Sequence, residues 1–167
     1  MDKERVVIFL ADFDDQINII RAGYDRLKKR ASGLSQREIT PEIVESTGYW
    51  LHNLYCAYED LFKIVAGFWE NNVSSDSMWH KRLLKRMRIN IEGVRPALIS
   101  EDSFNHLNEL RSFRHVFRHA YSYGLDDERV FFIVKRVLKQ ESALSSDMER
   151  FRNYIYKVIM EYEKNPD

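Results

Sequence analysis

The sequence predicts an all-α protein, an antiparallel bundle of four to five helices that forms a single domain over residues 1–167. The chain length suits one domain. Hydrophobic residues make up 44% of the chain while Gly and Pro are few, which favours a compact helical protein over a disordered one. Apolar residues recur at helical spacing almost throughout, and no strand-rich region or repeat is visible.

Two long helices are expected first. The first spans about residues 4–31 and ends before Gly33. The second starts with Thr40 as N-cap and Pro41 at the first helical position, and it runs to about Asn71. Because this second helix is apolar over a wide arc, we expect it to lie at the centre of the bundle.

Three more helices follow the polar turn after Asn71. A short helix should span about residues 77–89, before a loop that contains Gly93 and Pro96. Ser100 is the expected N-cap of the fourth helix, which should fray near residues 122–124.

The fifth helix is expected to be long. Asp126 should cap its N-terminus, and the helix should run to about Tyr162. Ser145 and Ser146 mark the place where this helix could break.

Composition narrows the classes of function. The formal net charge is zero, from 26 basic and 26 acidic residues, whereas a protein that coats nucleic acid would be strongly basic. Any RNA contact must therefore be local, and cations do cluster in residues 81–88 and 111–118. A solvated helix face is the alternative interpretation of both runs.

The chain also lacks the marks of export or membrane insertion. The apolar stretch Val6–Ala11 is too short, and its flanks too acidic, for a signal peptide. No segment approaches the roughly 20 apolar residues that a transmembrane helix needs. Cys56 is the single cysteine, which excludes an internal disulfide and fits a reducing compartment. We expect a soluble, cytoplasmic protein.

The densest chemistry lies in residues 111–121, which hold three arginines, two histidines and a terminal tyrosine. Arginine offers a planar fork of donors that fits phosphate oxygens, and histidine exchanges protons near pH 7. At about 100° per residue, the helix separates a core face from a basic face, with Arg114 at the border. The expected core face is Leu110, Phe113, Val116, Phe117, Ala120 and Tyr121. The expected basic face is Arg111, His115, Arg118 and His119.

Helical spacing limits what this run can do. Arg114 and His119 are five residues apart and point roughly 140° apart on one straight helix. They can reach one phosphate only if the helix ends or bends near His119, or if a second copy of the chain supplies half of the site. The alternative is that these side chains are ordinary surface residues paired with acids.

Other reaction chemistry finds little support. No zinc-protease motif, di-iron motif or phosphate-binding glycine loop is present, so we predict no metal and no cofactor. His52 and Cys56 lie at helical spacing, but a thiol in an apolar stretch tends to be inert. Tyr55 and Glu59 share a helix face, where they form either a groove or, as we expect, a buried hydrogen-bonded pair. We expect His80 to be an isolated histidine and not a ligand.

The pattern Arg114, four residues, His119, one residue, Tyr121 resembles the motif of the HepT-like branch of the HEPN superfamily. Four segments in family order support the resemblance and together cover most of the chain. They are LHNLYCAYEDLFKIVAGF (51–68), WHKRLLKRM (79–87), GVRPALIS (93–100) and FRHVFRHAY (113–121).

This resemblance implies a homodimeric helical bundle and a metal-independent endoribonuclease, the toxin of a bacterial toxin–antitoxin pair. It implies that Arg114 and His119 are the catalytic pair. The family antitoxin is a minimal nucleotidyltransferase that transfers AMP to the motif tyrosine, here Tyr121, with Tyr123 as a second nearby hydroxyl. Arg111, His115 and Arg118 lie outside the motif and are candidates for contacts with the RNA backbone or the partner.

Two other functions remain open at this level. The chain could be a catalytically inactive helical dimer that binds a nucleotidyltransferase partner or RNA. It could also be a helical scaffold whose basic face pairs with an acidic protein.

Overall fold

A computed structural model describes residues 3–34, 39–70, 79–119 and 124–164, which form five α-helices. The described residues contain no β-strand, only one isolated bridge between Ile91 and Arg95. The all-α prediction is therefore confirmed. The helices are α1 (Lys3–Leu34), α2 (Pro41–Trp69), α3 (Trp79–Met87), α4 (Glu101–His119) and α5 (Asp127–Lys164).

Helix α2 lies at the centre of the bundle, as its wide apolar arc predicts. It contacts each of the other four helices, while α1 also packs on α5, and α4 packs on both α3 and α5. Buried hydrophobic residues from all five helices form one core. Across the described residues, no helix combines the length and the hydrophobicity needed to cross a lipid bilayer.

The helix starts follow the capping residues. Thr40 is extended and its carbonyl accepts the first backbone hydrogen bonds of α2, whose first residue is Pro41. The hydroxyl of Ser100 accepts from the Ser103 amide at 3.3 Å, and the Asp126 carboxylate accepts from the Arg129 amide at 3.1 Å. The Ser100 and Asp126 side chains each satisfy a backbone donor that the first helical turn leaves unpaired, whereas the Thr40 side chain makes no such bond.

The break considered in the last helix does not occur, because α5 runs without interruption from Asp127 to Lys164. Ser145 and Ser146 are both exposed, so their hydroxyls are solvated and the helix continues at little cost. Their neighbours Leu144 and Met148 are buried and attach this part of α5 to the core.

A buried arginine fixes the loop between α3 and α4. Arg95 is 2% exposed, and its guanidinium donates to the carboxylate of Glu70 at the end of α2. It also donates to the backbone carbonyls of Arg86 and Pro96, both at 3.1 Å. Because one side chain joins the end of α2 to the end of α3, it sets where α3 lies on the central helix.

We predict that Arg95→Ala lowers the free energy of unfolding by about 3 kcal/mol, because it removes the main partner of a buried carboxylate. Arg88→Ala is the matched control. Arg88 pairs with Glu101, whose side chain is 64% exposed, and such surface pairs contribute about 0–1 kcal/mol. Urea denaturation of both variants would measure the difference. Equal losses would contradict the structural role of Arg95.

Candidate functional site

Helix α4 buries most of the described part of its predicted core face, with Val116 as the exception. Leu110 and Phe113 are buried as predicted, but Val116 is 37% exposed. At 100° per residue, the mean direction of the buried residues of α4 lies roughly 120° around the helix axis from Val116 and roughly 40° from Arg114. The assignment of Val116 to the core face was therefore wrong, and Arg114 points inward rather than along the border.

Arg114 lies between α4 and α2 with its side chain only 15% exposed. Its Nη2 atom is 3.8 Å from Oε2 of Glu59. This distance permits electrostatic attraction but exceeds that of a hydrogen bond. The Nε atom of Arg114 is buried and has no hydrogen-bond partner among the described residues. The guanidinium is thus held beside an acid without being hydrogen-bonded to it.

Glu59 is the centre of this arrangement. It lies on the central helix α2 and is only 4% exposed, although its side chain is a carboxylate. Its Oε1 atom accepts a hydrogen bond from Nδ1 of His80 on α3, and its Oε2 atom faces Arg114 on α4. We call Glu59, His80 and Arg114 the carboxylate cluster. It draws one side chain from each of three helices.

A polar stripe on α2 extends the carboxylate cluster toward the end of α4. His52, Tyr55, Cys56 and Glu59 occupy positions i, i+3, i+4 and i+7, which share one face of a helix. Tyr55 is fully buried, and its hydroxyl has no hydrogen-bond partner among the described residues. The expected Tyr55–Glu59 hydrogen bond is therefore not formed. Burial first, and then the charge of Glu59, raises the pKa of Tyr55 well above its ordinary value.

His52 is held in a setting that favours its neutral form. Burial is the main cause that lowers the pKa of His52, and the positive charges of Arg114 and Arg118 lower it further. The imidazole stacks on Phe117 of α4 with ring centroids 5.4 Å apart. Its Nε2 atom lies 3.7 Å from the thiol sulfur of Cys56. His52 therefore packs α2 against α4 next to the arginines.

His119 lies on the opposite side of α4 and is exposed. Its Nδ1–H donates to the backbone carbonyl of His115 at 2.8 Å. With Nδ1 engaged as a donor, Nε2 is the nitrogen left to exchange a proton with another molecule. The rings of His115 and His119 have centroids 4.5 Å apart. The two histidines form an exposed pair at the end of the helix.

The other basic residues differ in whether a neighbouring side chain already binds them. Arg111 donates Nε and Nη2 to the side-chain oxygen of Asn108, both at 3.1 Å, whereas Arg118 is exposed. In the run 81–88, Arg86 pairs with Glu70 and Arg88 pairs with Glu101. The sequence alone does not separate free cations from paired ones. In the structure, Arg86, Arg88 and Arg111 already bind neighbouring side chains.

The structure does not bring Arg114 and His119 together within one chain. Helix α4 is continuous through His119, so no bend reduces the angle between the two side chains. Arg114 points toward α2, and His119 points to solvent. Tyr121 and Tyr123, like Ala120, lie outside the described residues. A second copy of the chain is the arrangement in which both motif residues could still reach one phosphate.

Sequence reasoning missed Glu59 and His80 as site residues. The sequence pattern pairs Glu59 only with Tyr55 and predicts an isolated His80. A usable signal was present, because an acidic residue within the apolar arc of a central helix needs a buried partner. Within the described residues, no three His, Cys, Asp or Glu side chains gather into a group that could hold a metal ion.

We predict that His52 makes folding sensitive to mild acid. Because the folded state lowers the pKa of His52, the unfolded chain binds a proton more readily, and stability falls as pH drops below about 6.5. His52→Gln should reduce the loss of stability between neutral and mildly acidic pH, measured by urea denaturation. His115→Gln, at an exposed position, should leave that loss unchanged. An unaltered pH dependence in His52→Gln would refute the assignment.

Comparison with known proteins assigns the chain to a family. The family model described as HepT-like protein matches residues 46–155, which run from α2 into α5 and include the carboxylate cluster and the Arg114–His119 pair. No curated protein and no solved structure matches the chain. Since the matched range covers more than half of the sequence, the chain belongs to the HepT-like family, which in general indicates a toxin-type ribonuclease of the HEPN superfamily with an antitoxin partner.

Proposed function

We propose that this protein is a metal-independent endoribonuclease toxin that cleaves RNA in a cleft between two copies of the chain. Arg114 and His119 are its catalytic residues. The ribose 2′-hydroxyl attacks the adjacent phosphorus, and the bond from phosphorus to the 5′-oxygen of the next nucleotide breaks. The products are a cyclic phosphate end and a 5′-hydroxyl end, so DNA should resist cleavage.

The environment of His119 carries the proposal. The hydrogen bond from Nδ1 to the His115 carbonyl orients the ring and leaves Nε2 at the surface. A neutral Nε2 can accept the proton of the 2′-hydroxyl, and a protonated Nε2 can deliver a proton to the leaving 5′-oxygen. An exposed imidazole held in one tautomer suits this role better than a buried one.

Arg114 fits the role of stabilising charge on the phosphate. Its guanidinium is mostly withdrawn from water, and there its attraction to developing negative charge is stronger than it would be in bulk solvent. Its Nε donor lacks a partner, which costs free energy that an entering phosphate oxygen would offset.

A homodimer resolves the angular separation of the two residues. A two-fold dimer would set the exposed His119 of one copy against the other copy's Arg114 at the edge of α4 beside α2, where 15% of the arginine side chain remains exposed. The outward face of α4 carries Val116, His115, Arg118 and His119, all exposed. His115 and Arg118 are the candidates for contacts with the RNA backbone beside the scissile bond. Arg111 can add to them through Nη1, the nitrogen that does not donate to Asn108.

The proposed antitoxin is a minimal nucleotidyltransferase that transfers AMP from ATP to the hydroxyl of Tyr121 and releases pyrophosphate. AMP would add bulk and negative charge two residues after His119, near the exposed cations of α4. The modification would then block RNA or neutralise the arginines that bind it. No cofactor is required for the cleavage itself.

A catalytically inactive dimer that binds a nucleotidyltransferase or RNA is the second candidate. The burial of most of the Arg114 side chain beside Glu59 favours it, because a permanent ion pair would withhold the guanidinium from substrate. The distance of 3.8 Å argues against a permanent pair. Cleavage assays separate the two candidates.

We predict that the purified protein cleaves single-stranded RNA in the presence of EDTA and that His119→Ala and Arg114→Ala each reduce the rate at least about 100-fold. Lys139→Ala, an exposed position on α5, is the control and should cleave normally. Gel analysis and detection of the cyclic phosphate end would measure the reaction. Loss of cleavage on chelation, or full cleavage by His119→Ala, would refute the mechanism.

We predict that a nucleotidyltransferase encoded beside this gene adds AMP to the protein in the presence of ATP and Mg²⁺. Tyr121→Phe should abolish the increase in intact mass, and Tyr123→Phe should leave it unchanged. The modified protein should no longer cleave RNA. Modification that survives in Tyr121→Phe and disappears in Tyr123→Phe would move the acceptor to the second tyrosine.

A further inference from the structure

We infer that Glu59 is a positioning residue for Arg114 and that His80 fixes the carboxylate in the orientation this requires. The inference rests on the proposed function, since it assigns Glu59 and His80 a part in presenting Arg114 to RNA. Neither residue belongs to the Arg-x4-His-x-Tyr pattern. They come from α2 and α3, whereas the pattern begins on α4.

The burial of Glu59 is the first observation. A carboxylate that is 4% exposed in the middle of the central helix is costly unless positive charge or hydrogen-bond donors surround it. Its two oxygens face different helices, with His80 at Oε1 and Arg114 at Oε2. The side chain therefore joins α3 and α4 through one charge.

The contact with Arg114 differs from other arginine–carboxylate contacts in the same chain. Arg152 binds both oxygens of Asp14 at 2.6 Å, and Arg95 donates two nitrogens to one oxygen of Glu70. Those pairs commit the guanidinium to its acid. Between Arg114 and Glu59 the separation is 3.8 Å, so attraction orients the guanidinium while its donors remain available.

His80 limits the freedom of the carboxylate. Its Nδ1–H donates to Oε1, so the second oxygen is left to face Arg114. The His80 ring lies against Trp79 with centroids 3.9 Å apart, and its side chain is 26% exposed. Without this hydrogen bond the carboxylate could rotate, and Arg114 would no longer face an oxygen held in one position. His80 thus acts on Arg114 through Glu59.

The decisive variant is Glu59→Gln, which keeps the shape of the side chain and removes its charge. Glu45→Gln is the matched control, because Glu45 is an exposed residue of the same helix. Cleavage of a pool of mixed-sequence single-stranded oligoribonucleotides gives kcat and apparent KM. Thermal unfolding gives the folded fraction, and kcat is expressed per folded molecule.

We expect Glu59→Gln to lower kcat by about 10- to 100-fold with a smaller change in apparent KM, because a displaced Arg114 stabilises the transition state less. Glu59→Asp retains the charge and should recover part of the rate. His80→Gln should lower kcat in the same direction by a smaller factor. Since His80 is partly exposed, this variant tests the inference even if Glu59→Gln fails to fold.

The outcomes separate this inference from the proposed function. If Arg114→Ala and His119→Ala cleave RNA as the unmodified chain does, the proposed function fails and the inference fails with it. If those variants lose cleavage while folded Glu59→Gln or His80→Gln retains full kcat, only the inference is overturned. Equal kcat for Glu59→Gln and Glu59→Asp would also overturn it, since charge would then have no part in the effect.

Discussion

Glu59 places a carboxylate inside the helix bundle, and the structure around the candidate site follows from the need to surround it. A buried negative charge must be compensated by donors or positive charge from the elements packed against it. Here α3 supplies His80 and α4 supplies Arg114. The same buried carboxylate therefore constrains both the packing of α2, α3 and α4 and the orientation of Arg114. A change that loosens the bundle at this point also changes the site.

The sequence predicts most of the fold because the helices follow local rules. Periodic apolar residues and capping side chains such as Ser100 and Asp126 act within one turn, and the helix starts follow them closely. Errors arise where hydrophobicity competes with charge. Val116 counts as a core residue by pattern, yet it is exposed, while Arg114 faces an acid on another helix. The position of that acid, on α2, cannot be read from the sequence of α4.

The same limit applies to the site. Arg114, His119 and their spacing can be read from eleven consecutive residues, and the HepT-like resemblance adds the class of reaction to expect. Glu59 and His80 cannot be found in that way, since their contacts with α4 exist only after three helices pack. The buried linkage of Arg95 to Glu70 is also long-range, and it sets the placement of α3 on which the His80 contact depends.

Arg114 and His119 need opposite degrees of solvent exposure, and their positions near the end of α4 provide both. An imidazole that exchanges protons with substrate must reach solvent, whereas a guanidinium stabilises a phosphate better where water is excluded. Five residues of α-helix turn His119 outward and Arg114 inward, so each side chain has its own environment within one protomer. Joining them on one phosphate then falls to a second copy. In the proposed reaction, dimer formation is thus part of the active site, and a separated protomer would hold two halves that cannot act together.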